Sequence, residues 1–115
     1  MQLIKFHPGL ISDIKTGKKR LTLRYDFSPK IRPGDGLKLV DASNNQIFGN
    51  AICTNLYTMT VKEIINTNFK YHNNYEDLGE FNKQFNHFYG REFSYSDELT
   101  VIEWGDAFHT NPYYG

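Results

Sequence analysis

Polar and apolar residues alternate from Gln2 to Phe6, the period of a half-buried strand. The period then changes. Pro8 suits the first turn of a helix over about residues 8–16, with Leu10, Ile11 and Ile14 along one side, and Gly17 stops it. A second alternating stretch follows at about 20–25, where Leu21 and Leu23 are separated by polar neighbours. Residues 28–36 hold Pro29, Pro33, Gly34 and Gly36 and read as a loop ending in a Pro-Gly turn. Leu37, Leu39 and Ala42 share one side of the next strand. Asn44-Asn45 supplies a tight turn, and a long alternating strand from about Gln46 to Tyr57 completes a hairpin.

Thr60, followed by Val61, Lys62 and Glu63, has the spacing of a capping box and predicts a short helix to about Asn66. Residues 67–75 are polar and asparagine-rich, a loop. From Asp77 to Tyr89 the residues Leu78, Phe81, Phe85, Phe88 and Tyr89 recur at helical spacing, and Gly90 is a natural stop. A last strand is expected at about 99–104. The aromatic tail from Asp106 to Gly115 has no clear period and reads as a lid or packing strap. Short strands outnumber helices and the hairpin signals imply antiparallel pairing. The class expected is therefore α+β, a small, strongly curved sheet or barrel flanked by two to three helices. At 115 residues the chain closes one core, giving a single domain over 1–105 with the tail at 106–115.

Charge changes this picture. The net charge is zero, yet nine basic residues stand against Asp13, Asp26 and Asp35 through residue 38, so that segment carries +6 and the remainder −6. The densest part is residues 17–24, Gly-Lys-Lys-Arg-Leu-Thr-Leu-Arg, where Lys18, Lys19, Arg20 and Arg24 surround Thr22. One reading is a solvated face that keeps the protein soluble. The other is a site for an anionic partner, a nucleotide or nucleic acid, in which partial burial and neighbouring cations lower one lysine's pKa and make it a base.

Cys53 is the sole cysteine, so no internal disulfide and no cysteine-based zinc cluster is expected; it reads as a small core residue. His7, His72, His87 and His109 are scattered without ligand spacing, and neither a metal nor another cofactor is expected. No stretch is long and apolar enough for a signal peptide or a membrane span. A soluble cytoplasmic protein without a membrane partner, monomeric or dimeric, is the expectation.

Four segments in order carry a resemblance: Gly17 to Arg24 after the first helix; Arg32-Pro33-Gly34-Asp35 before Leu37-Lys38-Leu39; Phe48-Gly49-Asn50-Ala51-Ile52; and Glu80-Phe81 with Phe88-Tyr89-Gly90 before Val101-Ile102-Glu103-Trp104. Over most of residues 2–104 this arrangement resembles the ASCH domain, a relative of the PUA-like RNA-binding barrels. The resemblance implies a PUA-like mixed β-barrel. Within that superfamily the chain is similar to small bacterial amidohydrolases that remove the acetyl group from N(4)-acetylcytidine. Those enzymes are thought to use a lysine two residues after the motif glycine, a threonine three residues later, and a glutamate opening the apolar helix nine residues before a tyrosine. The matching residues are Lys19, Thr22, Glu80 and Tyr89. The resemblance also leaves an RNA-binding module or a metal-independent ribonuclease open, with Lys18, Arg20, Arg24, Arg32 and Tyr89 holding substrate or phosphate.

Amide hydrolysis needs a nucleophile, a proton acceptor and a group facing the oxyanion. Thr22 can be the first if Lys19 is held neutral, and Arg24 shares the side of Thr22 by the period-two rule, as does Arg20. Glu80 can orient the lysine, carry the proton or activate water. An acidic residue in a helix's first turn is also ordinary on electrostatic grounds, and Lys18 and Lys19 are equivalent by charge; only the resemblance selects Lys19. In a regular strand Lys19 and Thr22 point to opposite faces. They meet only if the strand begins after Lys19 or bulges there.

Overall fold

The computed structural model describes residues 2–27 and 30–114; residues 1, 28, 29 and 115, and with them part of the loop expected over 28–36, lie outside the described residues. β1 (Gln2–Phe6) leads into a 3-10 turn (Pro8–Leu10) and then α1 (Ile11–Lys15). The single helix expected over 8–16 is thus two short pieces. Proline opens the tighter turn, whose cap is the His7 side chain accepting from the Gly9 amide at 3.1 Å. β2 (Leu21–Arg24) follows.

β3 (Gly36–Asp41) and β4 (Ile47–Ile52) pair as the expected antiparallel hairpin, with Asn45 at φ 60° in the turn. β1 lies parallel to β3. A crossover pair of this kind leaves no local signal, since its partners are far apart in sequence and no turn joins them. The long strand expected from Gln46 to Tyr57 is two strands, β4 and β5 (Asn55–Thr60). Between them the Cys53 amide donates to the Asp35 carbonyl at 2.9 Å and the Thr54 amide to the Glu103 carbonyl at 2.8 Å. The backbone changes sheets at these two residues while the side-chain alternation runs on, which is why the break is invisible in the pattern.

The capping box forms at Thr60 and opens α2 (Val61–Ile65). α3 (Leu78–Tyr89) starts at Asp77, whose carboxylate accepts from the Glu80 amide at 2.8 Å, and stops at Gly90 with φ 65°. β6 (Glu98–Glu103) is the last predicted strand. The tail is a strap: β7 (Phe108–Thr110) adds to β4, and the Tyr114 hydroxyl donates to Asp41 at 2.7 Å.

The strands form a mixed four-stranded sheet, β1-β3-β4-β7, and a three-stranded antiparallel sheet, β2-β6-β5. The second sheet sits between two apolar clusters. Ile102 and Trp104 pack with Ile4, Phe6, Leu37, Leu39 and Phe48, whereas Leu21, Leu23, Leu99 and Val101 pack against α2 and α3 through Val61, Ile64, Phe81 and Phe85. β2 is an edge strand of its sheet, and that edge is where the fold opens.

Asn82 fastens the segment after α3. It is buried, and its side chain donates to the Phe93 carbonyl at 3.0 Å and accepts from the Phe93 amide at 2.6 Å. Asn82→Ala strands both backbone groups, so a loss of about 2–3 kcal/mol is expected. It would be read as a lower denaturant midpoint at unchanged m in chemical unfolding.

Candidate active site

Gly17 holds φ 81°, a left-handed conformation that glycine adopts without a Cβ penalty, and turns the chain out of α1. The next residues are pinned before any strand forms. The Lys19 amide donates to the Asp13 carbonyl at 3.0 Å, the Arg20 amide to the Tyr71 carbonyl at 2.9 Å, and the Trp104 amide to the Arg20 carbonyl at 3.0 Å. Regular pairing begins only at Leu21. Because the strand starts after Lys19, the period-two objection does not apply, and Lys19 and Thr22 line one cavity of about 350 Å³.

Four elements build that cavity. β1 and the 3-10 turn contribute Phe6 and Leu10, β2 contributes Thr22 and Arg24, and α3 contributes Gln84, Phe85, Phe88 and Tyr89. The loop after α2 closes it with His72, Asn73 and Tyr75. The volume is near the lower end for small-molecule sites, the scale of a nucleoside. Phe88 stands at the cavity 60% exposed, an aromatic face free for a ligand.

Lys19 is 8% exposed and Thr22 5%. Burial, and secondarily the Arg24 cation, pull the Lys19 amine down to about 7, against a smaller opposing effect of Asp13. A large share of it is therefore unprotonated near neutral pH. Arg24 donates through Nε to the Thr22 hydroxyl at 3.2 Å and through Nη2 to the Lys5 carbonyl at 2.6 Å, with its guanidinium 4.9 Å from the Phe6 ring centroid. Burial lowers its pKa as well. Among the described residues the one ion pair is Arg91–Asp97, so Arg24 faces the cavity with no carboxylate partner. The Tyr89 hydroxyl accepts from the Tyr25 amide at 3.1 Å.

His72 is the wall residue that the sequence pattern hid. Its Nδ1–H donates to the Asn73 carbonyl at 2.9 Å, and burial together with the Lys19 charge lowers its pKa to about 3, so the ring is neutral. Lys5, His7 and Gln84 are likewise wall residues without a local signal, and Phe88, read only as part of the apolar helix pattern, joins them. They come from β1, the cap of the 3-10 turn and α3, and only the tertiary fold brings them together.

The structure brings Lys19, Thr22, Arg24 and Tyr89 into the lining of one cavity; the remaining predicted site residues lie elsewhere. Lys18 borders a smaller neighbouring cavity. Arg20 bonds back to the Gly17 carbonyl at 2.9 Å and stacks 3.9 Å from the Tyr71 ring centroid, outside the cavity. Arg32 is exposed in the loop before β3, its amide on Asp35 at 2.9 Å. Glu80 stays in the first turn of α3 and does not line the cavity. Its charge is felt at Tyr75, which does line the cavity, where burial first and Glu80 second hold the phenol's proton well above its ordinary range. No three His, Cys, Asp or Glu side chains among the described residues are placed to share a metal ion, and no helix there is long and apolar enough to cross a membrane.

No protein-family model matches the chain, and no curated protein matches it in sequence. Solved structures do match. A mutant form of ZmASCH from Zymomonas mobilis superposes with a TM-score of 0.67 at 15% identity, covering 92% of this chain and 70% of that one. ASCH from Zymomonas mobilis gives 0.65 at 16% identity, covering 92% and 68%. The ASCH domain from Lactobacillus crispatus gives 0.62 at 11% identity, covering 94% and 80%. The fold is that of an ASCH domain. It is the α+β architecture of mixed sheets with flanking helices expected from the sequence. In this ASCH fold the cavity sits where edge strand β2 meets α3 and the 67–75 loop.

Proposed function

We propose that this cavity hydrolyses the acylamide of N(4)-acetylcytidine or a related acylated nucleoside. One observation carries the reading: a buried, cation-flanked amine, Lys19, lines the same cavity as the Thr22 hydroxyl and the unpaired Arg24 guanidinium. Lys19 takes the hydroxyl proton as the Thr22 oxygen attacks the acetyl carbonyl, and Arg24 faces the developing oxyanion. The carbon–nitrogen bond breaks as the Lys19 ammonium returns the proton to the departing cytosine amine. Water then hydrolyses the acetyl-threonine ester with Lys19 again as base, releasing acetate. Glu80, which does not line the cavity, has no step in this scheme.

A second reading rests on Phe88. An exposed aromatic beside cations is a stacking platform for an unpaired base, as an RNA-binding module or a ribonuclease would use. The two readings respond differently to change. Incubation with N(4)-acetylcytidine is expected to yield cytidine, and Thr22→Val, which keeps the shape and loses the hydroxyl, is expected to lower turnover by about 100-fold or more. If cytidine never forms at any enzyme concentration while labelled RNA is bound or cut, the amidohydrolase reading fails and the RNA reading replaces it.

A further inference from the structure

Beside the main cavity lies a second one of about 200 Å³, and Leu10, Lys19, His72 and Asn73 belong to the walls of both. The rest of its lining is charged: Lys18, Lys70 and Asp13. Neither lysine has an ion-pair partner among the described residues. Lys70 also lies 5.3 Å from the centroid of the Tyr71 ring on which Arg20 stacks, so a third cation stands close behind. His72, common to both linings, is a neutral ring and adds no charge of its own.

We propose that this second cavity holds a phosphate carried on the sugar of the substrate, so that the acylated molecule is a nucleotide and not a free nucleoside. The proposal rests on the reading of the main cavity as an acylnucleoside site. It follows from adjacency, size and charge. A compartment on the scale of a nucleoside shares four lining residues with a smaller one rimmed by two unpaired ammonium groups, and a phosphate ester carries up to two negative charges with strong acceptor oxygens. Asp13 is the one repulsive group in that lining. Its presence gives the site a signature, because removing that carboxylate strengthens phosphate binding while removing either lysine weakens it. A phosphate placed there also favours the ammonium form of Lys19, so the acid limb of the pH–rate profile lies at higher pH for the nucleotide than for the nucleoside.

The test is calorimetric titration of the whole protein with cytidine, cytidine 5′-monophosphate and a dinucleotide carrying a single internal phosphodiester. The monophosphate is expected to bind about tenfold more tightly than cytidine, from two exposed ion pairs. In Lys18→Ala/Lys70→Ala the advantage shrinks to about twofold or less, and in Asp13→Asn it widens. A dinucleotide that matches the monophosphate means that the same site takes a phosphate within an RNA chain; one that binds like cytidine means that it takes a terminal phosphate, and both support phosphate recognition. Equal affinity for cytidine and its monophosphate, binding of neither, or an advantage that survives the double substitution overturns it. Hydrolysis assays separate the two readings. Phosphate-dependent binding without deacetylation defeats the amidohydrolase and leaves the phosphate site standing, whereas deacetylation with no phosphate advantage does the reverse.

Discussion

Lys19→Met is expected to make the protein more stable while removing its activity. Holding a buried amine at about 7 when the unfolded chain holds it at 10.5 costs the charged form on the order of 4–5 kcal/mol. Methionine fills a similar volume without that cost, and a gain of about 2–3 kcal/mol is expected after allowing for imperfect repacking. The sign follows from proton counting. Between pH 7 and 10.5 the unfolded chain binds more protons at this position than the folded one, so wild-type stability from this group rises with pH across that window. Below pH 7 the penalty is complete and constant. The advantage of the variant is therefore larger at pH 6 than at pH 9, where part of the penalty has already gone. Chemical unfolding of both proteins at the two pH values checks this. A variant no more stable than wild type at pH 6 would mean that the amine is not under the strain inferred. A functional group that destabilises its own fold is the expected signature of a site, since a core position under selection for packing alone would not keep an amine there.

Acid is the second large lever, and His72 sets where it begins. Its ring is held neutral down to about 3, against an ordinary value of 6.5. The unfolded chain therefore takes up a proton below 6.5 that the folded chain refuses, and stability falls as pH falls through that interval. By pH 4.5 the expected loss from this one residue is about 2–3 kcal/mol. Asp41 and Asp97, whose carboxylates are depressed by hydrogen bonds from Ser43 and Ser94 respectively, lose their contribution at lower pH still. Glu63, depressed by hydrogen bonds from the Thr60 amide and hydroxyl, loses its contribution only toward the bottom of the range 4.5–6.5, which therefore reports chiefly the histidine. His72→Gln, which keeps a polar side chain and removes the titration, is expected to flatten the unfolding free energy across that range. A variant whose acid limb matches wild type would place the responsible group elsewhere.

Both residues show how unevenly the chain discloses itself. β1, the β3–β4 hairpin, the capping box at Thr60 and the aromatic face of α3 are local patterns, each complete within a short continuous stretch, and each was readable. The parallel β1–β3 pair, the change of sheet at Cys53 and Thr54 and the docking of β7 depend on partners distant in sequence, and alternation carries no record of which partner a strand will find. The site divides the same way. Thr22 and Arg24 meet because a strand repeats every two residues, and the sequence pattern anticipates that contact. Lys19 joins them because Gly17 and the Asp13 carbonyl delay the strand, a device that the glycine hinted at. His72 arrives on a loop with no periodicity. Glu80 had the right spacing and yet does not line the cavity, because spacing along a helix specifies a face but not which neighbouring segment meets that face.

The central claim is an uncharged amine in the β2 cavity, and a heteronuclear NMR titration of the lysine side chains measures it directly. One lysine Cε/Nζ signal is predicted to titrate near 7 and to vanish in Lys19→Met. Every lysine titrating at about 10 or above would contradict it.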